Sequence, residues 1–454
     1  CTNAGSGSTG ESAAAPKTEV SIAIPENVLG EPSTMLPTLD LDKYSVPEGD
    51  AMTFVKNLKI GWNLGNTFDA SNANLSEANE LDYEKAWCGV ITTTDNIAAI
   101  KAAGFNTVRI PVFWGNMMEN DGEYHINDEY IARVREIVDY CREAGLYAVI
   151  NVHHYDEFLI KNHDKEEVLR AVDTVWQQIA EYFRDYSDFV IFESANEELG
   201  ARLNDKDVAR DSGTLTETQC YETANAINQK FVDVVRSTGG NNANRYLLIA
   251  GYNTDIEKTC DNRFQMPVDS ANDKLMLSVH YYNPATYTLD NSTGNAWGTQ
   301  NDVKAMNELF AKMSKFTEAG IPVIIGEYGA NWRDLSSLSG ESQEKHDASI
   351  KLFYQELNQT AVEMGMVPMA WDINSPSQNG AKGVMTLIRR SDCTIYNRYA
   401  MEGIQEAVAT AIPMLAASCR TASDEALYTV QGIRVKEPSV RGIYIKSGKK
   451  IVVE

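Results

Sequence analysis

The amino-acid sequence predicts an α/β chain built as a (β/α)8 TIM barrel, with an N-terminal tether and a small C-terminal β appendage. Three observations point there. Between residues 51 and 412, eight short runs dominated by Val, Ile and Leu alternate with amphipathic stretches. Runs that are apolar on both faces are what parallel strands need when they are covered on both sides, and strict β–α alternation builds parallel sheets. No early strand is followed by G-x-G-x-x-G, the phosphate loop that usually marks the rival doubly wound sheet.

The elements follow in order along the 454 residues. Residues 1–19 are Cys1 followed by "TNAGSGSTGESAAAPKTE". Such a Gly/Ser/Thr/Ala composition makes a flexible tether. A chain opening in this way resembles a mature bacterial lipoprotein, with a lipid anchor expected on Cys1. Residues 20–50 contain Pro, lack a period and are expected to wrap the domain surface. The barrel domain is placed at 51–414. Its strands are predicted at 57–66, 106–114, 146–154, 188–197, 245–253, 275–283, 322–330 and 367–374. "TTDNIAAIKAAG" opens on a Thr/Asp cap and closes on Gly104, as helices do. "NDEYIARVREIVDYCREAG" opens on Asn127 or Asp128 and closes on Gly145. Further helices are predicted at 165–185, 217–238, 302–319, 344–364 and 397–412. From 415 to 454 apolar and polar residues alternate between turn signals at Gly432, Pro438, Gly442 and Gly448. That predicts two or more short antiparallel strands.

Composition bounds the partners. Lys+Arg number 40 against 64 Asp+Glu, a net charge of −24. Such a surface repels phosphate polymers and anionic membranes, which argues against nucleic acid. No run of 18 apolar residues occurs to span a bilayer. None of the seven cysteines forms a C-x-x-C pair, against zinc ribbons and thioredoxin chemistry. Cys141 reads as a buried helical thiol, and Cys220 and Cys260 are a candidate disulfide.

A barrel forms its active site at the C-terminal ends of its strands. The first strand ends in Trp62, Asn63 and Asn66; the second carries Arg109 and ends at Trp114; the third ends in His153, His154 and Tyr155. The fourth ends in Asn196, Glu197 and Glu198, the sixth in His280, Tyr281, Tyr282 and Asn283. Glu327 and Tyr328 end the seventh, and Trp371, Asp372 and Asn374 the eighth, while the fifth offers Tyr252 and Asn253. G-x-S-x-G is absent, so no serine elbow competes. A metal site of His153, His154, Asp156 and His280 is disfavoured, because adjacent strand residues point to opposite faces. Two carboxylates remain, Glu197 and Glu327, among aromatic residues suited to stacking on sugar rings. Such a pair suits glycoside hydrolysis: one carboxyl protonates the leaving oxygen and the other attacks the anomeric carbon. Arg109 beside one carboxylate would keep it ionised, and a less solvated carboxyl near that charge would have a raised pKa.

The motifs "GWNLGNTFD", "GFNTVRIPVFW", "VINVHH", "FESANEELG", "VHYYNP", "VIIGEYG" and "MAWDIN" occur in this order. Through them, residues 51 to 412 resemble glycoside hydrolase family 5, the retaining cellulases and related β-glycanases. The resemblance implies a monomeric endo-β-1,4-glucanase working by double displacement, with a β-glucan polysaccharide or oligosaccharide as partner and no cofactor or metal. Xyloglucan, mixed-linkage glucan (lichenan), mannan and xylan are the alternative substrates. It implies Glu197 as general acid/base, Glu327 as nucleophile and Asn196 on the sugar 2-hydroxyl. Arg109 and Tyr282 would hold Glu327. His153 and His280 would line the cleavage subsite, with His154 beside them, and Trp371 would be the stacking platform. Asn66 is a further expected substrate-binding residue, and Trp297 and Trp332 are expected to bind neighbouring sugars. Glu193 belongs to the strand itself. The family usually reads Asn-Glu-Pro where this chain has Asn196-Glu197-Glu198, and Glu198 is expected to face solvent. A non-catalytic glycan-binding barrel would lack one carboxylate; both are present. The C-terminal "YTVQGIRV" and "GIYIKSGKKIVV" resemble the short sorting modules that end many secreted proteins. An extracytoplasmic location is expected.

Overall fold

Eight short parallel strands hydrogen-bond in sequence order and the eighth returns to the first, closing a barrel. They are β1 (Gly61–Asn63), β2 (Thr107–Ile110), β3 (Tyr147–Asn151) and β4 (Val190–Glu193). β5 (Leu247–Ala250), β6 (Leu275–Tyr281), β7 (Val323–Tyr328) and β8 (Val367–Ala370) complete it. Each lies inside its predicted run. The computed structural model describes residues 46 and 48–418, apart from 72–74, 76–77, 120, 155–163, 206–212, 290–295, 336–341 and 376–383, together with Val20–Ser21 and four short strands beyond 426. Cys1, the tether, Tyr155, Asp156 and most of 20–50 lie outside the described residues.

Helices follow the strands as α1 (Thr94–Ala102), α2 (Asp128–Glu143), α3 (Lys165–Tyr182) and α4 (Glu217–Ser237). After β5 comes only the one-turn α5 (Ile256–Thr259), where no helix was expected. α6 (Gln300–Ala311), α7 (Gln343–Glu363) and α8 (Arg398–Ser418) complete the ring, α8 running past the boundary placed at 414. Of the two candidate caps for α2, Asn127 is the cap: its side-chain oxygen accepts from the N–H groups of Glu129 and Tyr130. Thr93 and Asn96 cap α1 reciprocally, which satisfies N–H groups that the first turn leaves free.

The strands bury their Val, Ile and Leu side chains completely, as Val108, Val149, Ile191, Leu248 and Ile324 show. Trp176 of α3 is core, 4.5 Å from Phe231 and 5.7 Å from Phe192 between ring centres. The β6–β7 ladder is irregular: Val279 pairs Ile325, but the next pair is His280 with Glu327, skipping Gly326. Such an extra residue bends a strand and re-aims its side chains. A Cβ on Gly326 would lie 2.8 Å from Ser278 Oγ and 3.2 Å from His280 Nε2. Glycine at this point therefore lets the His280 ring lie against β7.

Cys88, Cys141, Cys220, Cys260 and Cys393 are all free thiols, so the Cys220–Cys260 pairing does not form. Val20–Ser21 pairs antiparallel with Thr394–Ile395. The C-terminal segment forms a four-stranded antiparallel sheet from Leu427–Thr429, Arg434–Val435, Gly442–Lys446 and Lys449–Val453. Among the described residues no helix is long and apolar enough to cross a membrane.

Candidate active site

Arg109 stands at the centre of the barrel mouth and is fully buried. Its Nε donates to Glu193 Oε2 at 2.6 Å, and its Nη1 to Glu327 Oε1 at 2.7 Å and Asn63 Oδ1 at 3.0 Å. Its Nη2 donates to Asn196 Oδ1 at 3.0 Å. One guanidinium thus links β1, β4 and β7, using the several fixed donors that lysine lacks. Glu193, also fully buried, accepts from Ser278 Oγ at 2.7 Å. A buried carboxylate needs such partners to stay ionised.

Glu327, on β7, is buried, and its second oxygen accepts from Tyr282 Oη at 3.0 Å. Glu197, in the turn after β4, has a side chain 48% exposed, and its Oε1 lies 2.8 Å from His280 Nδ1. That same nitrogen lies 3.5 Å from Glu327 Oε2. Oxygens of the two carboxylates and His280 Nδ1 all fall within 4.8 Å of one another.

The electrostatics of this pair differ from the sequence expectation. Burial pushes the Glu327 carboxyl up, against the pull of His280 and Arg109. Burial also raises Glu197, but the bond and charge of His280, with Arg109, outweigh it and hold Glu197 below the usual range. The reason is that Arg109 divides its charge between Glu193 and Glu327, while Glu197 has His280 and open water. His280 is pulled down by burial, yet the charges of Glu327 and Glu197 win and raise it. The two glutamates titrate as a coupled pair. Covering the exposed half of Glu197 would desolvate it and raise its pKa toward what a proton donor needs.

His153 is buried, and burial, followed by the charges of His154, Arg109 and His280, pushes its pKa well below the ordinary histidine value. Asn151 Nδ2 donates to its Nδ1 at 3.0 Å, so neutral His153 carries its proton on Nε2. Trp371 lies parallel to His153, tilted by 8° at 6.3 Å, and is only partly buried. A Cβ on Gly65 would come within 2.9 Å of Trp371 Cζ2, so the glycine in "NLGN" makes room for the indole. Beneath it, Asp372 is buried and accepts from Trp62 Nε1 and from the N–H groups of Asn374, Leu387 and Ile388. Asn66 sits at the same rim, partly exposed, with φ of 56° and its N–H held by Asp69. His154, Asn253 and Asn374 also have positive φ, a clustering of uncommon backbone conformations typical of functional rims.

Two expectations fail. Glu198 does not face solvent: its side chain is 13% exposed and its Oε1 lies 3.3 Å from His154 Nδ1. The histidine beside it draws the carboxylate in. Trp332 is 4% exposed and Trp297 5%. Trp332 Nε1 donates to Asp347 and its backbone pairs with Val384, while Trp297 packs edge-on against Phe353. Both indoles fill the space between loops and α7, leaving no face for a sugar. The structure also adds Trp87, 44% exposed in the loop between β1 and α1, with its ring 6.1 Å from that of His154. Nothing in local periodicity marks it; the only sequence signal is a large aromatic residue in a long loop on the active-site side.

Of the His153, His154, Asp156 and His280 set, Asp156 lies outside the described residues; the His153 and His154 rings are perpendicular at 4.8 Å, and His154 Nε2 is occupied by the carbonyl of Asp69. Glu197, His280 and Glu327 offer ligand atoms close enough for a cation, but the Arg109 charge bonded to Glu327 opposes one.

Comparison with known proteins agrees with this geometry. The family Cellulase (glycosyl hydrolase family 5) matches residues 68–377. The chain is 33% identical over 351 residues to endoglucanase A of Clostridium longisporum, covering 76% of this chain and 63% of that relative's length. It is 33% identical to a xyloglucan-specific endo-beta-1,4-glucanase of Bacteroides ovatus (73% and 68% covered) and 33% identical to endoglucanase A of Ruminococcus albus (82% and 96%). The structure of a family 5 lichenase from Caldicellulosiruptor sp. F32 superposes with a TM-score of 0.70 at 32% identity, covering 83% of this chain and all of that one.

Proposed function

The chain belongs to glycosyl hydrolase family 5, and from that premise we propose that it is a retaining endo-β-1,4-glucanase acting on internal bonds of a β-glucan. The carrying observation is the approach of Glu197 and Glu327 to within 4.8 Å. Retaining pairs stand about 5–5.5 Å apart, whereas inverting pairs need about 6.5–9.5 Å to admit a water. Glu327, oriented by Arg109 and Tyr282, attacks the anomeric carbon while Glu197 protonates the departing oxygen. In the second step Glu197, now ionised, takes a proton from the water that releases the sugar from Glu327. Neutral His153 offers an Nε2–H to a sugar hydroxyl, and the Asn196 amide faces the 2-hydroxyl. Relatives named as endoglucanases, and one as xyloglucan-specific, support a β-1,4-glucan backbone as substrate. A polymer of that size is hydrolysed outside the cytoplasm, where we place the enzyme, acting as a monomer.

The test is reducing-sugar release from cellulosic, mixed-linkage, xyloglucan, mannan and xylan substrates, with NMR of the first-formed anomer. Release of β-anomer from a glucan is expected; no release from any substrate sinks the proposal. Trp371→Ala is expected to raise KM at least about fivefold, since ring stacking contributes about 1 kcal/mol beyond the area it covers. An unchanged KM would remove Trp371 as the platform.

His280→Gln carries a signed expectation. His280 lowers the pKa of both Glu197 and Glu327, so its loss raises both. The nucleophile then needs a higher pH to ionise and the acid holds its proton to a higher pH, so both limbs of the pH–rate profile move upward. A profile that moves down, or does not move, contradicts this assignment.

A further inference from the structure

The turn that carries Asn196 and Glu197 has no regular secondary structure; beyond the Leu199 N–H bond to the Asn196 carbonyl, neighbouring loops hold it. On one flank Asn253 does so: its Nδ2 donates to the Glu197 carbonyl at 2.8 Å and its N–H to the Leu199 carbonyl at 2.7 Å. On the other flank stands Glu198, whose Oε1 lies 3.3 Å from His154 Nδ1 and 3.5 Å from Asn196 Nδ2. We propose that His154 and Glu198 are a positioning pair that ties the β3 rim to the β4 turn and fixes the Asn196 amide in its sugar-ready orientation.

Three features carry this. First, His154 is held in place. Its Nε2 lies 3.0 Å from the Asp69 carbonyl, which can only accept, so Nε2 bears a proton and Nδ1 is left facing the carboxylate. The rings of Trp87, Phe113 and His153 stand edge-on around it at 6.1, 6.0 and 4.8 Å. Second, Glu198 is largely enclosed, and its Oε2 is buried without a protein partner among the described residues. An enclosed carboxylate is stabilised by hydrogen-bond donors or a cation close by, and His154 Nδ1 and Asn196 Nδ2 are what face its Oε1. Third, Asn196 is addressed from both ends. Arg109 can only donate, so it fixes Oδ1; an ionised Glu198 can only accept, so it fixes Nδ2. One N–H of Nδ2 then turns to Glu198 and the other is left for the substrate. Titratable groups facing His154, among the described residues, are Glu198 and Glu197 after β4, Asp69 after β1 and His153 beside it.

The kinetic part of the proposal rests on Asn196 donating to the sugar 2-hydroxyl, a bond that strengthens in the transition state. Misorienting the amide therefore lowers kcat more than it raises KM. Glu198→Leu is expected to lower kcat roughly tenfold with KM little changed. The same substitution in an Asn196→Ala background should cost nothing further. Glu198→Gln, which can still accept from Asn196, should recover most of the loss. His154→Phe, read in the same cycle, serves if Glu198→Leu does not fold. Additive losses, or an unchanged kcat, overturn the proposal. A readout independent of turnover is the His154 titration followed by nitrogen NMR of histidine-labelled resting enzyme. Its midpoint should fall when Glu198 becomes Leu, and an unmoved midpoint overturns the pairing. Wild-type enzyme inactive on every glucan would refute the proposed function, while the NMR result would still decide the pair.

Discussion

Glu327→Ala is expected to reduce turnover of a β-glucan by about 10⁴-fold while the fold persists, because it removes the carboxylate that forms the covalent intermediate. Glu197→Ala is expected to lose about 10²–10⁴-fold, the contribution of general acid–base catalysis. The two losses are separable by rescue with azide on an activated β-glycoside. In Glu327→Ala, azide fills the space vacated by the carboxylate and attacks from that face, giving the α-glycosyl azide. In Glu197→Ala the sugar–Glu327 intermediate still forms with a good leaving group, and azide displaces Glu327 to give the β-glycosyl azide. Opposite products would identify Glu327 as nucleophile and Glu197 as acid/base. If the anomers were reversed, the roles would have to be exchanged, and rescue of a Glu198 variant in place of Glu197 would move the acid/base by one residue.

Arg109→Met should be the most damaging single change to stability. It leaves Glu193, fully buried, without the cation 2.6 Å away, and leaves Glu327 without its partner at 2.7 Å. Breaking a buried pair by removing one member costs about 3–5 kcal/mol, a drop in melting temperature of about 5 °C for a domain of this size. Adding Glu193→Gln to Arg109→Met should return part of that stability, since the stranded charge is then gone. It should not return activity, because Glu327 and Asn196 still lack their bonds to the guanidinium. Arg109 lowers the Glu327 pKa, so any residual activity should show an acid limb displaced upward. Equal stability of Arg109→Met and wild type, by thermal or denaturant unfolding, would sink this account.

Several features of the site were legible in the sequence for a local reason. A strand's C-terminal end is marked by an apolar run meeting polar residues, and a barrel turns all such ends to one rim. That logic places Asn196, Glu197, Glu327, His280 and Trp371 together before any coordinate is known. It fails for Trp332 and Trp297, because exposure of a loop aromatic depends on which helix the loop packs against, here α7. It fails for Glu198 because the attraction comes from His154, in the loop after β3. Trp87 was missed for the complementary reason: a long loop has no period that would assign it to the cleft.

By itself the sequence determined the alternation of eight strands with helices, the residues at each strand end and the two carboxylates among them, since period and apolarity are properties of neighbours along the chain. The tertiary structure alone decided how charge is shared. Arg109 meets Glu327 across 218 positions of sequence, and barrel closure brings them together. The irregular step at Gly326 sets His280 beside Glu327, and the β3 rim turns Glu198 inward. Protonation follows distance and burial in three dimensions, so the pKa directions of the two glutamates emerged only once the barrel had closed around them.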